Sequence, residues 1–87
     1  MDIFKSHALT PAGPATDILP VIPHDTEDLE HIASALYVEE GGALSIVTVR
    51  NEIRTVSVGD LALLPVGTRR VRATGTTASG IHALVVA

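Results

Sequence analysis

Few residues in this chain have the types and the spacing that catalysis or metal binding requires. The chain contains four histidines and no cysteine, which excludes a thiolate nucleophile, a disulfide framework and a cysteine-based zinc site. The histidines are scattered, and the serines lie in no nucleophile-elbow pattern. The acidic residues between 25 and 30 lack the alternating oxygen ligands and the glycine of a calcium loop. The sequence therefore predicts no catalytic centre, no metal site and no cofactor.

Charge is divided unevenly between the two halves of the chain. The net charge is −4, which argues against nucleic acid as a partner. Residues 1–45 hold eight acids against Lys5 alone, whereas residues 46–87 hold five arginines against two acids. This division is either ordinary surface charge or complementarity between copies of the chain.

The composition predicts one small soluble domain with an aliphatic core. Hydrophobic residues make up 46% of the 87 residues, but Phe4 and Tyr37 are the only Phe or Tyr, and there is no Trp. A domain of this size buries about 60–65% of its unfolded-chain surface, so it is marginally stable alone and gains from association. No run reaches the roughly 18 apolar residues of a membrane helix, and residues 1–15 lack the apolar segment of a signal peptide. We therefore expect a protein that is not exported by the usual route.

Alternation and turn residues predict an all-β fold, a small β-sandwich or jelly-roll-like barrel of about six or seven short strands. Residues 43–50 form the clearest strand, and Asn51-Glu52 turns it back into 53–58 as a hairpin. Pro20 cannot donate to a central ladder, so the strand at 15–22 is expected at an edge. Residues 23–32 form either one helical turn or a loop. The other strands are predicted at 33–39, 61–64, 69–74 and 79–87.

The stretch from Gly59 to Ala78 is predicted to be a β-hairpin. Its first apolar run is closed by Pro65, which lacks a donor, and by Gly67, which tolerates positive φ, so the chain is expected to reverse there. The spacing of Gly59, Pro65, Gly67 and Arg70 resembles the second motif of the cupins. That family has a metal-binding histidine where this chain has Arg70, and the first cupin motif has no counterpart here. The resemblance implies a small β-barrel without a metal.

The strand after that turn carries three arginines whose partners the sequence leaves open. Arg70 and Arg72 alternate with apolar residues and share one strand face, so they cannot both be in the core, and Arg69 lies at the turn. Three guanidiniums this close require carboxylates nearby. The carboxylates come either from the acidic segments 25–30 or 39–40 of a neighbouring copy, which would build a ring, or from the same subunit.

Residues 1–14 are predicted to be an extended N-terminal arm, and residues 15–87 a single β domain. Pro11, Gly13 and Pro14 disfavour regular structure, and no apolar periodicity is present in the arm. We expect the arm to become ordered only against a neighbouring chain.

A longer resemblance spans nearly the whole chain. Its residues are Phe4, His7, Thr10-Pro11-Ala12, Ile22-Pro23-His24-Asp25, Asp28-Leu29, Ala35-Leu36-Tyr37-Val38, Leu64-Pro65, Arg69-Arg70-Val71, Ala73-Thr74-Gly75-Thr76-Thr77-Ala78, Gly80-Ile81 and Ala83-Leu84. In these residues the chain resembles the small head-spike base proteins of gene transfer agents (GTAs) and related tailed phages of alphaproteobacteria. Ser34 and Glu39 depart from the pattern, since the family usually has Arg and Gly there, and the order of Gly and Pro around Val66 also differs.

The resemblance implies a structural protein of a virion or phage-like particle, without enzymatic activity. Such proteins form the base of a head spike at the five-fold vertices of the capsid and anchor a fibre that meets the polysaccharide of the recipient cell. The implied partners are copies of the same chain in a pentameric ring, the major capsid protein and the spike fibre protein, with no nucleic acid and no membrane. The implied location is the capsid surface, after synthesis in the bacterial cytoplasm.

The residues expected at a subunit or partner interface are Phe4, His7, Asp25, Glu27, Asp28, Arg69, Arg70 and Arg72. Two other classes remain open. One is a reduced cupin-like β-barrel domain without metal, and the other is a small carbohydrate-binding β-sandwich. Sugar-binding sites usually provide an aromatic ring for stacking, and Tyr37 and Phe4 are the only candidates.

Overall fold

Seven β-strands form the fold of residues 14–86, the part of the chain that the computed structural model describes, and the all-β prediction is confirmed. The strands are β1 (Asp17–Pro20), β2 (Ala33–Glu40), β3 (Gly42–Thr48), β4 (Ile53–Val58), β5 (Ala62–Leu64), β6 (Thr68–Val71) and β7 (Ser79–Val85). They pair antiparallel in one sheet in the order β1-β7-β2-β6-β3-β4, and β5 also pairs with β2. Within this range, no helix has the length and apolarity that a membrane span needs.

The core is aliphatic, as the composition predicts. In β7 every second side chain is buried, because successive side chains of a strand point to opposite faces. Leu36 and Val38 of β2 and Leu44 of β3 have no exposed surface, and burial of such side chains stabilises the fold by about 1.5–3 kcal/mol each. The other members of the cluster are Ala33, Ile46, Val71, Ala78, Ile81, Ala83 and Val85.

The predicted β3–β4 hairpin is present, and its turn is local in origin. The N–H of Thr48 donates to the carbonyl of Glu52 at 2.9 Å and closes a loop of three residues. Asn51 has a φ of 68°, a left-handed conformation that asparagine adopts more readily than most residues. A three-residue hairpin loop with a left-handed residue in its last position is a common connection between antiparallel strands.

The hairpin predicted between Gly59 and Ala78 does not form, and this expectation is wrong. Strands β5 and β6 both run antiparallel to β2, with Leu64 opposite Leu36 and Thr68 opposite Ala33. Strands β5 and β6 therefore run in the same direction, and both pair with β2, one after the other. Residues 65–67 interrupt this path without reversing it, because the long strand β2 offers pairing on both sides of the interruption.

The second of these strands also ends earlier than its alternation predicts. The expected strand at 69–74 stops at Val71 as β6. Arg72 still donates its N–H to the carbonyl of Ser45 at 2.8 Å, but Gly75 follows with a φ of 89° and turns the chain away from an extended path. Residues 72–78 are therefore a loop beside β3.

Candidate functional site

A single carboxylate, that of Asp28, binds two consecutive arginines of β6. Arg69 donates to Oδ2 from Nη2 at 2.7 Å and from Nε at 3.2 Å. Arg70 donates to Oδ1 from Nε at 2.9 Å, and its Nη2 lies 2.8 Å from the same oxygen. Charge-assisted hydrogen bonds of this kind are stronger than neutral ones. We refer to Asp28, Arg69 and Arg70 as the arginine clasp.

A β-bulge accounts for two consecutive side chains reaching one partner. In a regular strand, neighbouring side chains point to opposite faces. The register between β3 and β6 shifts between Val47 and Thr48, so that Arg69 is an extra residue in β6. An extra residue of this kind twists the strand locally and re-aims side chains. The bulge therefore allows both guanidiniums to meet Asp28.

The acidic loop, residues 23–32, holds Asp28 in place by backbone contacts with β6. The N–H of His24 donates to the carbonyl of Val71 at 2.8 Å, and the N–H of Leu29 donates to the carbonyl of Arg69 at 2.8 Å. Of the two alternatives left open by the sequence, the structure contains the loop and not the helical turn. Inside this loop the N–H groups of Thr26 and Glu27 both donate to Nδ1 of His24.

A second carboxylate ties the acidic loop to the loop at 72–78. Oδ1 of Asp25 accepts the N–H of Thr74 at 2.8 Å, and Oδ2 accepts the Thr74 hydroxyl at 2.7 Å. The carbonyl of Asp25 also accepts Nη1 of Arg70 at 3.1 Å. The acidic loop is thus attached to strand β6 through Asp28 and to the loop at 72–78 through Asp25.

Both carboxyl groups have a pKa below the ordinary value. The pKa of Asp25 is lowered chiefly by the hydrogen bonds from the backbone and the hydroxyl of Thr74, and the charge of Arg72 adds to this effect. The pKa of Asp28 is lowered chiefly by the hydrogen bond from Arg69 and next by that from Arg70. Hydrogen bonds to the charged form favour that form, so both groups are ionised at neutral pH.

The threonines of the loop at 72–78 replace a neighbouring strand for part of β3. The hydroxyl of Thr76 accepts the N–H of Ser45 at 3.0 Å, and the hydroxyl of Thr77 accepts the N–H of Ala43 at 2.8 Å. Strand β6 has ended before it could reach these two donors. The side-chain oxygens therefore satisfy backbone groups that a carbonyl would satisfy in a regular ladder.

Arg72 lies beside a fully buried serine. Its Nη1 donates to Oγ of Ser45 at 3.3 Å, and the Thr55 hydroxyl donates to the same oxygen at 3.2 Å. Ser45 and Val47 are alternate residues of β3, and Arg70 lies opposite Val47. Arg70 and Arg72 therefore lie over one face of β3, as their alternation predicts.

Exposed apolar side chains form two surfaces. On the first, Ile18 lies opposite Leu84, and Leu63 lies opposite Tyr37. Ile18 is 52% exposed and Leu63 57% exposed. The second surface is β4, in which every residue but Val58 is exposed. Exposed apolar patches of this kind mark interaction surfaces on soluble proteins.

The remaining polar groups of the described range lie apart from the arginine clasp. No group of three or more His, Cys, Asp or Glu residues between 14 and 86 could hold a metal ion. A cleft of about 530 Å³ at the end of the β3–β4 hairpin includes Glu52 and Arg54, which pair with each other at 3.6 Å. The ring of Tyr37 is half-buried and lies 6.1 Å from that of His82, tilted by 41°.

The comparisons with known proteins point to a virus-like particle. No protein-family model matches the chain, and no curated protein matches it significantly. A solved structure described as "Capsid of native GTA particle computed with C5 symmetry" contains a chain of similar fold, with a TM-score of 0.78 and 36% sequence identity. The match covers 95% of this chain and 98% of that one. The chain belongs to the family of that GTA capsid chain.

In this GTA capsid family member, the structure brings most of the predicted interface residues together. Asp25, Asp28, Arg69 and Arg70 are joined by direct contacts, and Glu27 lies in the same loop, 3.4 Å from Nε2 of His24. The carboxylates that the arginines meet belong to the same subunit, which is the intrasubunit alternative of the sequence analysis. Phe4, His7 and the rest of the arm up to residue 13 lie outside the described residues.

Sequence reasoning missed several residues of the site in this family member. Thr74 was assigned only to a strand, yet its N–H and hydroxyl bind the carboxylate of Asp25. The hydroxyl of Thr76, which accepts the N–H of Ser45 in β3, was given no role. Asn51 was assigned only to a turn, yet its Oδ1 accepts Nη1 of Arg69 at 2.6 Å. A run of threonines around a glycine was the available signal, because threonine hydroxyls can bond to backbone groups in loops.

Proposed function

We propose that this chain is the base subunit of a head spike on the capsid of a GTA or a related phage-like particle. In this role, copies of the chain form a pentameric ring at a five-fold vertex and hold a fibre that contacts the recipient cell. The observation that carries the proposal is the match over 95% of the chain to a chain of a GTA capsid computed with C5 symmetry. The resemblance of the sequence to head-spike base proteins supports the more specific role.

The two ends of the sheet suit a cyclic assembly. A ring with five-fold symmetry needs head-to-tail contacts, in which two different surfaces of each copy meet. Strand β1 lies at one end of the sheet and β4 at the other. Each end carries exposed apolar side chains, among them Ile18 and Ile53. Burial of these side chains would supply most of the affinity between copies.

We propose that the arginine clasp and Glu27 contribute to contacts between copies or with the major capsid protein. The side chains of Asp28 and Arg69 are each 36% exposed after their mutual contacts are made. The side chain of Glu27 is 74% exposed. Solvent screens exposed ion pairs, so that they add little to affinity, and these charges would set the register of the ring more than its affinity. Asp25 and Arg72 border this surface, and Phe4 and His7 of the arm would contribute a separate contact between copies.

Deletion of the gene from a particle-producing strain tests this function. We expect filled capsids to form in normal numbers, because a vertex decoration is not needed to close the shell. Electron cryomicroscopy should show five-fold vertices without the spike density and without the fibre. Binding to recipient cells and gene transfer should fall, and expression of the intact chain in trans should restore all three.

Two results would contradict the proposal. A failure to form capsids would make the chain a component of the shell itself. Unchanged vertices together with loss of an enzymatic step, such as the remodelling of surface polysaccharide, would favour an enzyme. Quantitative mass spectrometry of purified particles adds a check, because a C5 ring requires five copies at each occupied vertex.

A further inference from the structure

The two edges of the sheet differ in the hydrogen-bonding groups that they present. At β1, the N–H of Val21 donates inward to the carbonyl of Ile81. Because backbone groups alternate in direction along a strand, the outward positions of β1 are Ile18 and Pro20. The N–H of Ile18 is occupied by Oδ1 of Asp17 at 2.8 Å, and Pro20 has no N–H. The β1 edge therefore offers no free donor to a further strand.

The edge of β4 is open by the same criterion. Thr48 and Glu52 form an inward hydrogen-bonded pair, so the alternating register places Ile53, Thr55 and Ser57 outward. No residue among 14–86 accepts a hydrogen bond from the N–H of these three residues. The carbonyl of Ile53 accepts Nη1 of Arg54 at 3.1 Å, so the edge offers three free donors and the carbonyls of Thr55 and Ser57. Such an edge is a template for strand addition unless something covers it.

The side chains of β4 also lack a cover. Ile53 is 55% exposed on one face of the strand, and Val56 is 39% exposed on the other. Native edges are usually blunted by proline, by inward-pointing charge or by a bulge. Strand β4 contains none of these within Ile53–Val58. Its single charged residue, Arg54, is 61% exposed and bonds to groups of its own hairpin, the carboxylate of Glu52 and the carbonyl of Ile53.

The length and position of the N-terminal residues identify an occupant. Strand β1, the first of the chain, lies at the end of the sheet opposite to β4, so the thirteen residues before Pro14 are joined to the described part of the chain at that end. Fully extended, they reach about 43–47 Å, whereas the five strand spacings across the sheet amount to about 24 Å. In a head-to-tail ring, the β1 end of one copy faces the β4 end of the next. The N-terminal residues of one copy then begin beside the open edge of its neighbour.

We propose that residues 2–10 of one copy add as a further antiparallel or parallel strand to the β4 edge of the next copy. The proposal rests on the ring proposed above and names the contact that closes it. Residues 2–10 contain no proline and no glycine, so every backbone N–H is available to the edge. Ile3, Phe4 and Leu9 supply apolar side chains for both exposed faces of β4. The partner is a second copy of this chain.

Disulfide trapping between differently tagged copies tests the contact, because the chain has no cysteine of its own. One copy carries Ser6→Cys, and the other carries Ile53→Cys or Ser57→Cys in β4. A matched control carries Glu30→Cys in the acidic loop. Both copies are expressed in a particle-producing strain, and the purified particles are oxidised. We expect a covalent dimer of the two tags with at least one β4 variant and none with the control.

Three outcomes would overturn the proposal in different ways. If the particles contain both tagged copies but no covalent dimer, the strand addition is rejected, whereas the proposed ring is not. A chain with Ser6→Cys and Ser57→Cys that forms only an internal disulfide would place the segment on its own β4. A disulfide with the capsid protein instead would assign the segment to the capsid. Absence of both tags from the particles would reject the proposed function, and the strand addition with it.

A proline in the open edge provides an independent test. Thr55→Pro removes an outward N–H and leaves the ladder to β3 intact, whereas Thr55→Val removes only the hydroxyl bond to Ser45 and keeps that N–H. We expect the valine variant to enter rings and the proline variant to remain a folded monomer by circular dichroism and light scattering. If Thr55→Pro unfolds, Ser57→Pro replaces it. A full ring formed by a folded proline variant would overturn the proposal.

Discussion

Asp25 and Thr74 are joined by two hydrogen bonds across 49 positions of sequence, from the Thr74 N–H to Oδ1 at 2.8 Å and from its hydroxyl to Oδ2 at 2.7 Å. This pair fastens the acidic loop to the loop at 72–78. With the arginine clasp, it joins these two loops and strand β6 in one charged surface. Mutations that break these internal contacts should lower the stability of the chain, whereas mutations of exposed residues on the same surface should affect assembly of the particle alone.

Replacement of Asp25 tests the first of these attachments. Asp25→Ala removes both acceptors for Thr74, so we expect the melting temperature to fall by a few degrees and amide exchange to accelerate in residues 23–32. Thr74→Val should reproduce part of the effect because it removes only the hydroxyl bond. Hydrogen exchange followed by mass spectrometry measures the change, and equal protection of the acidic loop in Asp25→Ala would contradict this role.

The pH dependence of stability follows from the lowered pKa of Asp25 and of Asp28. A carboxyl whose pKa is lower in the folded chain contributes stability above its unfolded pKa, and this contribution is lost as pH falls through the folded value. We expect constant stability from these groups above about pH 4, the ordinary range of an aspartate, and a progressive loss below it.

Thermal melts between pH 3 and pH 7 measure this effect. The difference between the unmodified chain and Asp28→Asn should be largest near pH 6 and should shrink towards pH 3, because protonation of the carboxyl in the unfolded chain, whose pKa is the higher of the two, removes its contribution to stability. Glu30→Gln is the control, because Glu30 forms no hydrogen bond or ion pair with the arginine clasp. A difference that does not change with pH would contradict the electrostatic origin.

The aliphatic core should dominate the free energy of unfolding. Leu36 is fully buried in β2, and Leu36→Ala should destabilise the chain by about 2–5 kcal/mol, the usual range for such a cavity. Leu63 is 57% exposed in the neighbouring strand β5, so Leu63→Ala should change stability by about 0.5 kcal/mol or less. Urea denaturation measures the free energy of unfolding of both variants. Equal losses of stability in Leu36→Ala and Leu63→Ala would mean that another chain covers Leu63.

Charge reversal separates contacts within a subunit from contacts between subunits. Arg70→Glu with Arg72→Glu removes contacts inside the chain, so we expect a lower melting temperature as well as loss of the ring. Glu27→Lys changes an exposed side chain whose ion-pair partner is His24, so it should leave the melting temperature nearly unchanged and weaken the ring. Glu30→Lys is its control. Light scattering that shows an intact ring with Glu27→Lys would remove Glu27 from the interface.

The sequence by itself determined the elements whose causes are local. Alternation predicted the strands that became β2, β3, β4 and β7, and Pro20 correctly assigned β1 to an edge. The β3–β4 hairpin was predictable because its turn is closed within five residues around Asn51. The near-continuous resemblance indicated a protein of a GTA or phage-like particle, in agreement with the match to a GTA capsid chain.

Only the tertiary structure decided the path of β5 and β6 and the composition of the site. Pro65 and Gly67 are compatible with a reversal of the chain and also with a break between two strands that run in the same direction. Because both β5 and β6 pair with the distant strand β2, the chain does not reverse there. The convergence of Arg69 and Arg70 on Asp28 depends on a bulge created by the register between β3 and β6. Registers of this kind arise from pairing between residues far apart in sequence, and local propensity carries no information about them.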